Sequence, residues 1–244
     1  MNKNIFEVMV EMQHEFNKKV AVDYLEKNFN WNSAIIAESG ELLESLGYKW
    51  WKKQEPDMEN VKVEAIDLLH FVISEEIQSS FNHFSKIEEI DEKHIILATT
   101  QNCMNYFHSC PSDDVEDLNR LVDLLNYHKY RRIYIMKNIF DKLNMSNEDV
   151  YIAYITKNCL NKFRQDNGYK DGTYIKDWNG KEDNVVAFEI ANEWGADEEL
   201  FEQLYKDLET YYNEEVLKDK KELHLSNILD DISYIKAVDT EVGE

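Results

Sequence analysis

The stretch VKVEAIDLLHFVI, Val61–Ile73, is apolar around nearly its whole circumference when wound as a helix. Val61, Val63, Ala65, Ile66, Leu68, Leu69, Phe71, Val72 and Ile73 leave almost no polar side, and a helix of that kind is buried. Glu64 and Asp67 nevertheless stand in it, three residues apart and flanked by Leu68 and Phe71. A buried, unpaired carboxylate is costly or takes up a proton, so this pair calls for a cation.

An earlier pair has the same spacing. In ESGELLES, Glu38–Ser45, Glu38 and Glu41 are also three apart, on a predicted helix over 33–53. Its expected core stripe is Ile35, Ile36, Ser39, Leu42, Leu43 and Leu46. Glu38 borders that stripe, Glu41 lies beside Glu38, and Glu44 points further out. One pair alone reads sooner as salt bridges or surface acids than as a metal site. Two pairs on neighbouring helices, one of them apolar, point to a metal. Oxygen-only ligands suit Mg²⁺ or Mn²⁺. A di-iron centre would want Glu-x-x-His on each of two helices; Asp67 is followed by His70, but the earlier helix has no histidine, which argues against iron.

The composition fits helices throughout. There are 7 Gly and only 2 Pro in 244 residues, too few for the turns a sheet protein needs. Apolar spacing predicts a first helix over 4–28, with Phe6, Met9, Met12, Phe16 and Val20 inward. Pro56 breaks the chain, and Asp57 caps a third helix over about 58–79. Further helices are expected over 86–108, 117–143, 147–165 and 185–217. Pro111 and a Ser112 cap lie between the first two of these, and 166–184 reads as loop. The reading is one all-α helical bundle over 1–244, with its core at about 4–217 and an acidic tail past about 225.

The net charge of −22 argues against binding a nucleic acid polymer and against anionic membranes. No run reaches the ~18 apolar residues of a membrane span. Three cysteines, Cys103, Cys110 and Cys159, are odd in number and lack metal spacing; they read as reduced thiols in a cytoplasmic protein. From Lys157 to Lys181 six basic residues face three acidic ones, a local charge of +3 in an acidic chain. Lys157, Asn161 and Arg164 fall on one helix face there, and glycines follow. That island is a candidate anion grip, with Arg164 forking onto phosphate oxygens; otherwise it is a solvated loop. Acidic metal ligands and a basic grip together suggest chemistry on nucleotide phosphates.

The segments ESGELLESLGYKWWKK, EAIDLLHF, KNCLNKFRQDNGYKDGTY and WNGKEDN resemble the dimeric all-α dUTPases, most densely over 34–78 and 151–184. The resemblance implies a homodimer that hydrolyses dUTP, and also dUDP, to dUMP. It implies Mg²⁺ on Glu38, Glu41, Glu64 and Asp67, with Glu38 ahead of Glu41 as the base that takes a proton from the attacking water. It assigns phosphate contacts to Lys157, Arg164, Tyr169 and Lys176. It assigns uracil contacts to Asn161, Gln13, Trp50, His70 and Phe71; Asn17, one turn beyond Gln13, is a further candidate. Read from the residues alone, Gln13 fits either a bonded core amide or a base contact. Trp50, His70 and Phe71 fit core positions as well, and Trp51 competes with Trp50. Two positions depart from the family pattern: Asn32 where an arginine is common after tryptophan, and Gly40 where alanine is common. Other readings are a relative acting on dCTP or a modified nucleotide, and a non-catalytic regulatory protein on the same fold.

Overall fold

The computed structural model describes residues 5–85, 91–108, 117–197 and 199–218. The Pro111 break, the Ser112 cap, Cys110 and the acidic tail lie outside them. The chain divides into two compact units, Met1–Asn158 and Cys159–Glu244.

The long apolar helix organises the first unit. α1 (Ile5–Val20), α2 (Tyr24–Lys27), α3 (Trp31–Ser45) and α4 (Met58–Phe84) are followed by α5 (Glu92–His108), α6 (Leu118–Tyr127), α7 (Arg132–Lys142) and α8 (Asn147–Asp166), which runs on into the second unit. α4 is capped as expected, Asp57 accepting from Asn60 N, but it continues to Phe84. It buries Val61, Ala65, Ile66, Leu68, Leu69, Val72, Ile73 and Ile77 on several sides. α1, α3, α5 and α7 pack around it.

Two expected stripes are rotated. α1 ends at Val20 and buries Phe6, Met9, Val10, Gln13, His14 and Asn17, while Val20 is 45% exposed. Polar side chains form half of that inward face because each finds a partner there. In α3, Ile35, Ser39 and Leu42 are inside, but Ile36 is 52% exposed. The long helix expected over 117–143 is split by a 3₁₀ turn at Lys129–Arg131. The break lets the buried Arg132 side chain turn back: its Nε donates to Leu125 O at 3.0 Å and its Nη1 to Glu75 Oε2 at 2.6 Å.

The second unit is a small helical and aromatic assembly. Phe163 of α8 makes edge contacts with Tyr174, Trp178, Tyr205 and Tyr212. Within 166–184, read as loop, a minimal hairpin pairs β1 (Asp177–Trp178) with β2 (Lys181–Glu182). Its turn is Asn179-Gly180, both at positive φ, as a two-residue hairpin loop requires. α9 (Asp183–Trp194) and α10 (Leu200–Tyr211) replace the single helix expected over 185–217. Gly195, at φ +69°, separates them, and a π turn closes Tyr212–Val216. Among the described residues, no helix is long and apolar enough to cross a membrane.

Gly40 stands on the exposed side of α3, and a Cβ there would meet nothing within 4 Å. Close helix packing within the chain therefore does not explain it. Gly40→Ala should raise stability by about 0.5–1 kcal/mol, read from the denaturant midpoint; an unchanged or lower midpoint would mean that the position is covered by something outside the chain. Glu76 on α4 gives a pH signature. Burial, reinforced by the neighbouring Glu75 charge, pushes its carboxyl up to about 7. The folded state then holds a proton that the unfolded chain releases near 4.5, so this group's contribution falls as pH rises from about 4.5 to about 7. Glu76→Gln should be more stable than the parent at pH 8, by on the order of 1–3 kcal/mol, and lose that advantage by pH 4.5. A pH-independent difference would sink the assignment.

Candidate active site

The α3–α4 pairing brings the acidic residues together. Carboxylate oxygens of Glu38, Glu41 and Glu64 lie within 4.8 Å of one another. Asp67, one turn beyond Glu64, is 2.8 Å from the ammonium of Lys157, which is 3% exposed. Asn60 Nδ2 donates to Glu64 Oε1 at 3.2 Å. Burial pushes the Glu38 carboxyl up to about 7, with Asp67, Glu41 and Glu64 adding negative charge and Lys157 opposing. Burial and Asp67 do the same to Glu64, again to about 7. One lysine thus stands against four acids. The donor set is all oxygen and short of positive charge, which is the chemistry a hard divalent cation fits.

A polar network lies beside this cluster in the first unit. Gln13 Oε1 accepts from Tyr154 OH at 2.9 Å, and Tyr154 OH also reaches Met9 O at 3.1 Å. Gln13 Nε2 donates to Asn17 Oδ1 at 2.9 Å, and Asn17 Nδ2 to Ser74 Oγ at 3.0 Å. His70 Nδ1 is 2.7 Å from the same Gln13 oxygen, so this nitrogen carries the hydrogen and donates. Burial, then the Lys157 charge, lowers the His70 pKa to about 3, keeping the ring neutral. Its face stacks on Tyr154, centroids 4.0 Å apart. His70 Nε2 is buried and has no hydrogen-bond partner among the described residues. That lone pair is a ready acceptor.

The sequence-predicted base contacts therefore separate. Gln13, Asn17 and His70 are joined in one network, and Phe71, the next residue on α4, is half-buried against Trp31. Trp50 is not brought to them: it is 89% exposed in the segment after α3, edge-on to Trp51. Tyr154 was missed, because a tyrosine within the run VYIAYI reads as core.

In the second unit, Asn161, Arg164, Tyr169 and Lys176 are linked. Arg164 Nη1 donates to Asn161 Oδ1 at 3.3 Å. The Arg164 guanidinium and the Lys176 ammonium lie 5.9 and 5.2 Å from the Tyr169 ring centre. The guanidinium fork, expected to be open for phosphate, is closed on Asp183: Nε to Oδ2 and Nη2 to Oδ1, both 2.8 Å. Asp183 is 1% exposed and also accepts from Tyr174 OH at 2.8 Å. No sequence signal separated Asp183 from its acidic neighbours. Gly168 starts the turn that carries Tyr169, at φ +86°, and a Cβ there would fall 2.0 Å from Thr173 Oγ1. Only glycine fits.

The model of the family described as dUTPase matches residues 5–169. The chain belongs to the dUTPase family. The match takes in α1, both acidic pairs and α8 through Tyr169; Lys176 and Asp183 lie beyond it. No curated protein matches the chain. Membership supports hydrolysis of dUTP in general, and with it an enzyme of nucleotide pyrophosphate chemistry.

Asp183→Asn should leave Arg164 without its charge partner and cost about 3 kcal/mol or more, measured by chemical denaturation. A near-parental midpoint would mean that the pair does not hold the 166–184 segment in place.

Proposed function

We propose that the chain hydrolyses dUTP to dUMP and pyrophosphate, and dUDP to dUMP and phosphate, in a Mg²⁺-dependent reaction. The observation that carries this is the α3–α4 cluster: three carboxylates within 4.8 Å, a fourth on a buried lysine, and two of them pushed up to about 7. Within the dUTPase family such a donor set is what nucleotide hydrolysis needs. Glu38, Glu41, Glu64 and Asp67 would hold Mg²⁺, with Mn²⁺ as a possible substitute. Bound there, the ion would supply charge for the phosphate oxygens and acidify a water.

The residues of the chain carry the remaining work. Glu38, bordered by the apolar face of α3, takes the proton of the attacking water at a carboxylate oxygen; Glu41 is more exposed and less suited. Attack at the β-phosphorus expels dUMP, and leaves pyrophosphate from the triphosphate or phosphate from the diphosphate. One attack site thus accounts for both substrates. Lys157 neutralises Asp67 and offers charge near the reacting phosphates. Tyr169 and Lys176 remain for outer phosphate oxygens, with Arg164 held by Asp183 as the post on which they rest. His70 Nε2 accepts a hydrogen bond from a uracil ring N–H, and Gln13 holds that ring in the required tautomer. Asn17 and Phe71 complete the base contacts of the first unit; Asn161 enters the proposal by the family resemblance alone. Trp50 would have to move to join them. A homodimer, as the family resemblance implies, and a cytoplasmic location, as the cysteines suggest, are part of the same proposal.

Product analysis tests it. The protein is incubated with dUTP, dUDP, dCTP, dTTP and UTP, with Mg²⁺ or EDTA. The expected result is metal-dependent dUMP from dUTP and dUDP, with little turnover of dTTP or UTP. Glu38→Gln should lower turnover by about 10²–10⁴-fold while leaving the protein folded and, above pH 7, at least as stable as the parent. Unchanged turnover in that variant would overturn the assignment of the base.

A further inference from the structure

Beyond Phe71, a different part of the α4 surface borders a cleft of about 390 Å³, closed by residues 28–32 and by Lys129 and Tyr130. Its size falls in the range of small-molecule sites, roughly 300–1,000 Å³. All of its lining belongs to the first unit. It contains no member of the carboxylate cluster and no member of the Gln13–His70 network.

Two buried polar atoms without a partner belong to residues lining this cleft: the indole nitrogen of Trp31 and the carboxamide oxygen of Gln78. Gln78 is 4% exposed, and its orientation is fixed because Nε2 donates to Leu25 O at 2.9 Å and to Asn82 Oδ1 at 3.3 Å. The Trp31 ring is held among Tyr24, Phe29 and Phe71. One orphan is a pure donor and the other a pure acceptor. Each costs free energy as long as nothing pairs with it. The lining also holds Asn30 and Asn32, whose Oδ1 atoms accept from Ser33 N and from Arg132, and the Lys129–Glu75 ion pair at 3.4 Å. Phe29, 40% exposed, and Tyr130, 83% exposed, add aromatic surface.

We propose that this cleft is a second small-molecule site, for a planar heterocycle with a lactam edge, of the nucleobase or nucleoside class. The ligand carbonyl accepts from Trp31 Nε1 and the adjacent ring N–H donates to Gln78 Oε1. Aromatic surface beside the two orphans suits a flat ring. A sugar hydroxyl, which is donor and acceptor at once, has no need of a pure donor set beside a pure acceptor.

The test is an NMR titration of the metal-free full chain, following the Trp31 indole N–H resonance, assigned as the one missing in Trp31→Phe. Nucleosides with a lactam edge (uridine, thymidine, inosine) should shift it. 3-Methyluridine, whose ring N–H is blocked, and cytidine should bind about tenfold or more weakly, as should uridine to Gln78→Met. A resonance that does not respond, or that responds equally to 3-methyluridine or to sucrose, overturns the proposal. The base pocket proposed at His70 would also prefer uridine to its methylated form, so the cleft is assigned by Gln78→Met, which should lose the Trp31 response to uridine while retaining dUTP turnover; a retained response overturns the proposal. Turnover of dUTP in the same preparations keeps the two readings apart. Lost turnover with an intact Trp31 response counts against the carboxylate site alone, and the reverse counts against the cleft alone.

Discussion

Among the described residues, three lysine or arginine side chains are buried: Arg132, Lys157 and Arg164. Each is paired with an acid, Glu75, Asp67 and Asp183 respectively, at 2.6–2.8 Å. Arg132 and Arg164 meet their acids as balanced pairs. Lys157 does not, because Glu38, Glu41 and Glu64 crowd round the Asp67 it neutralises. In a chain of net charge −22, cations are scarce, and those spent inside the protein mark where charge must be settled. The α3–α4 cluster is the place where the count is left open. The protein alone can close it only by keeping protons on Glu38 and Glu64 up to about pH 7. A divalent cation closes it without them, and that is the physical ground for placing the chemistry there.

The same helix that carries this deficit also carries a polar seam that is satisfied except at one atom. Asp67, His70 and Ser74 lie a turn apart along α4, and α1 answers with Gln13 and Asn17. Buried polar networks favour stability only when every member is satisfied. Here one bond orients the next: Gln13 Nε2 donates to Asn17 Oδ1, which leaves Gln13 Oε1 to accept from His70 Nδ1 and from Tyr154 OH, whose hydrogen is shared with Met9 O. The consequence is a single atom left over, His70 Nε2, with its lone pair directed by everything else. Selectivity for a base edge needs such a group, because a partner lacking the matching N–H leaves it unpaired.

This seam also explains what could and could not be read from the sequence. α4 and both acidic pairs were legible because burial and charge conflict in plain sight at Glu64 and Asp67. The inward face of α1 was not: apolar periodicity favours Met12, Phe16 and Val20, while the true face is chosen by where Gln13, His14 and Asn17 find partners on distant segments. The break at Lys129–Arg131 follows from Arg132 reaching Glu75, 57 positions away, which no local pattern announces. The Asn179-Gly180 hairpin was within reach, since that dipeptide is the strongest short-range hairpin signal; two-residue strands are simply too short to show alternation.

Arg164 shows how a motif can be read correctly and its chemistry still be displaced. Its place on α8, one and two turns after Asn161 and Lys157, follows from helical spacing alone. A fork of N–H groups suits a phosphate, but it suits a carboxylate equally, and Asp183 occupies it with near-complete burial. The pair is close to neutral, so it contributes position rather than charge. Lys176, reaching over the Tyr169 ring, is exposed. The basic island of the sequence thus resolves into a buried ion pair at Arg164 and an exposed lysine at Lys176, a difference that depends on one aspartate 19 positions downstream.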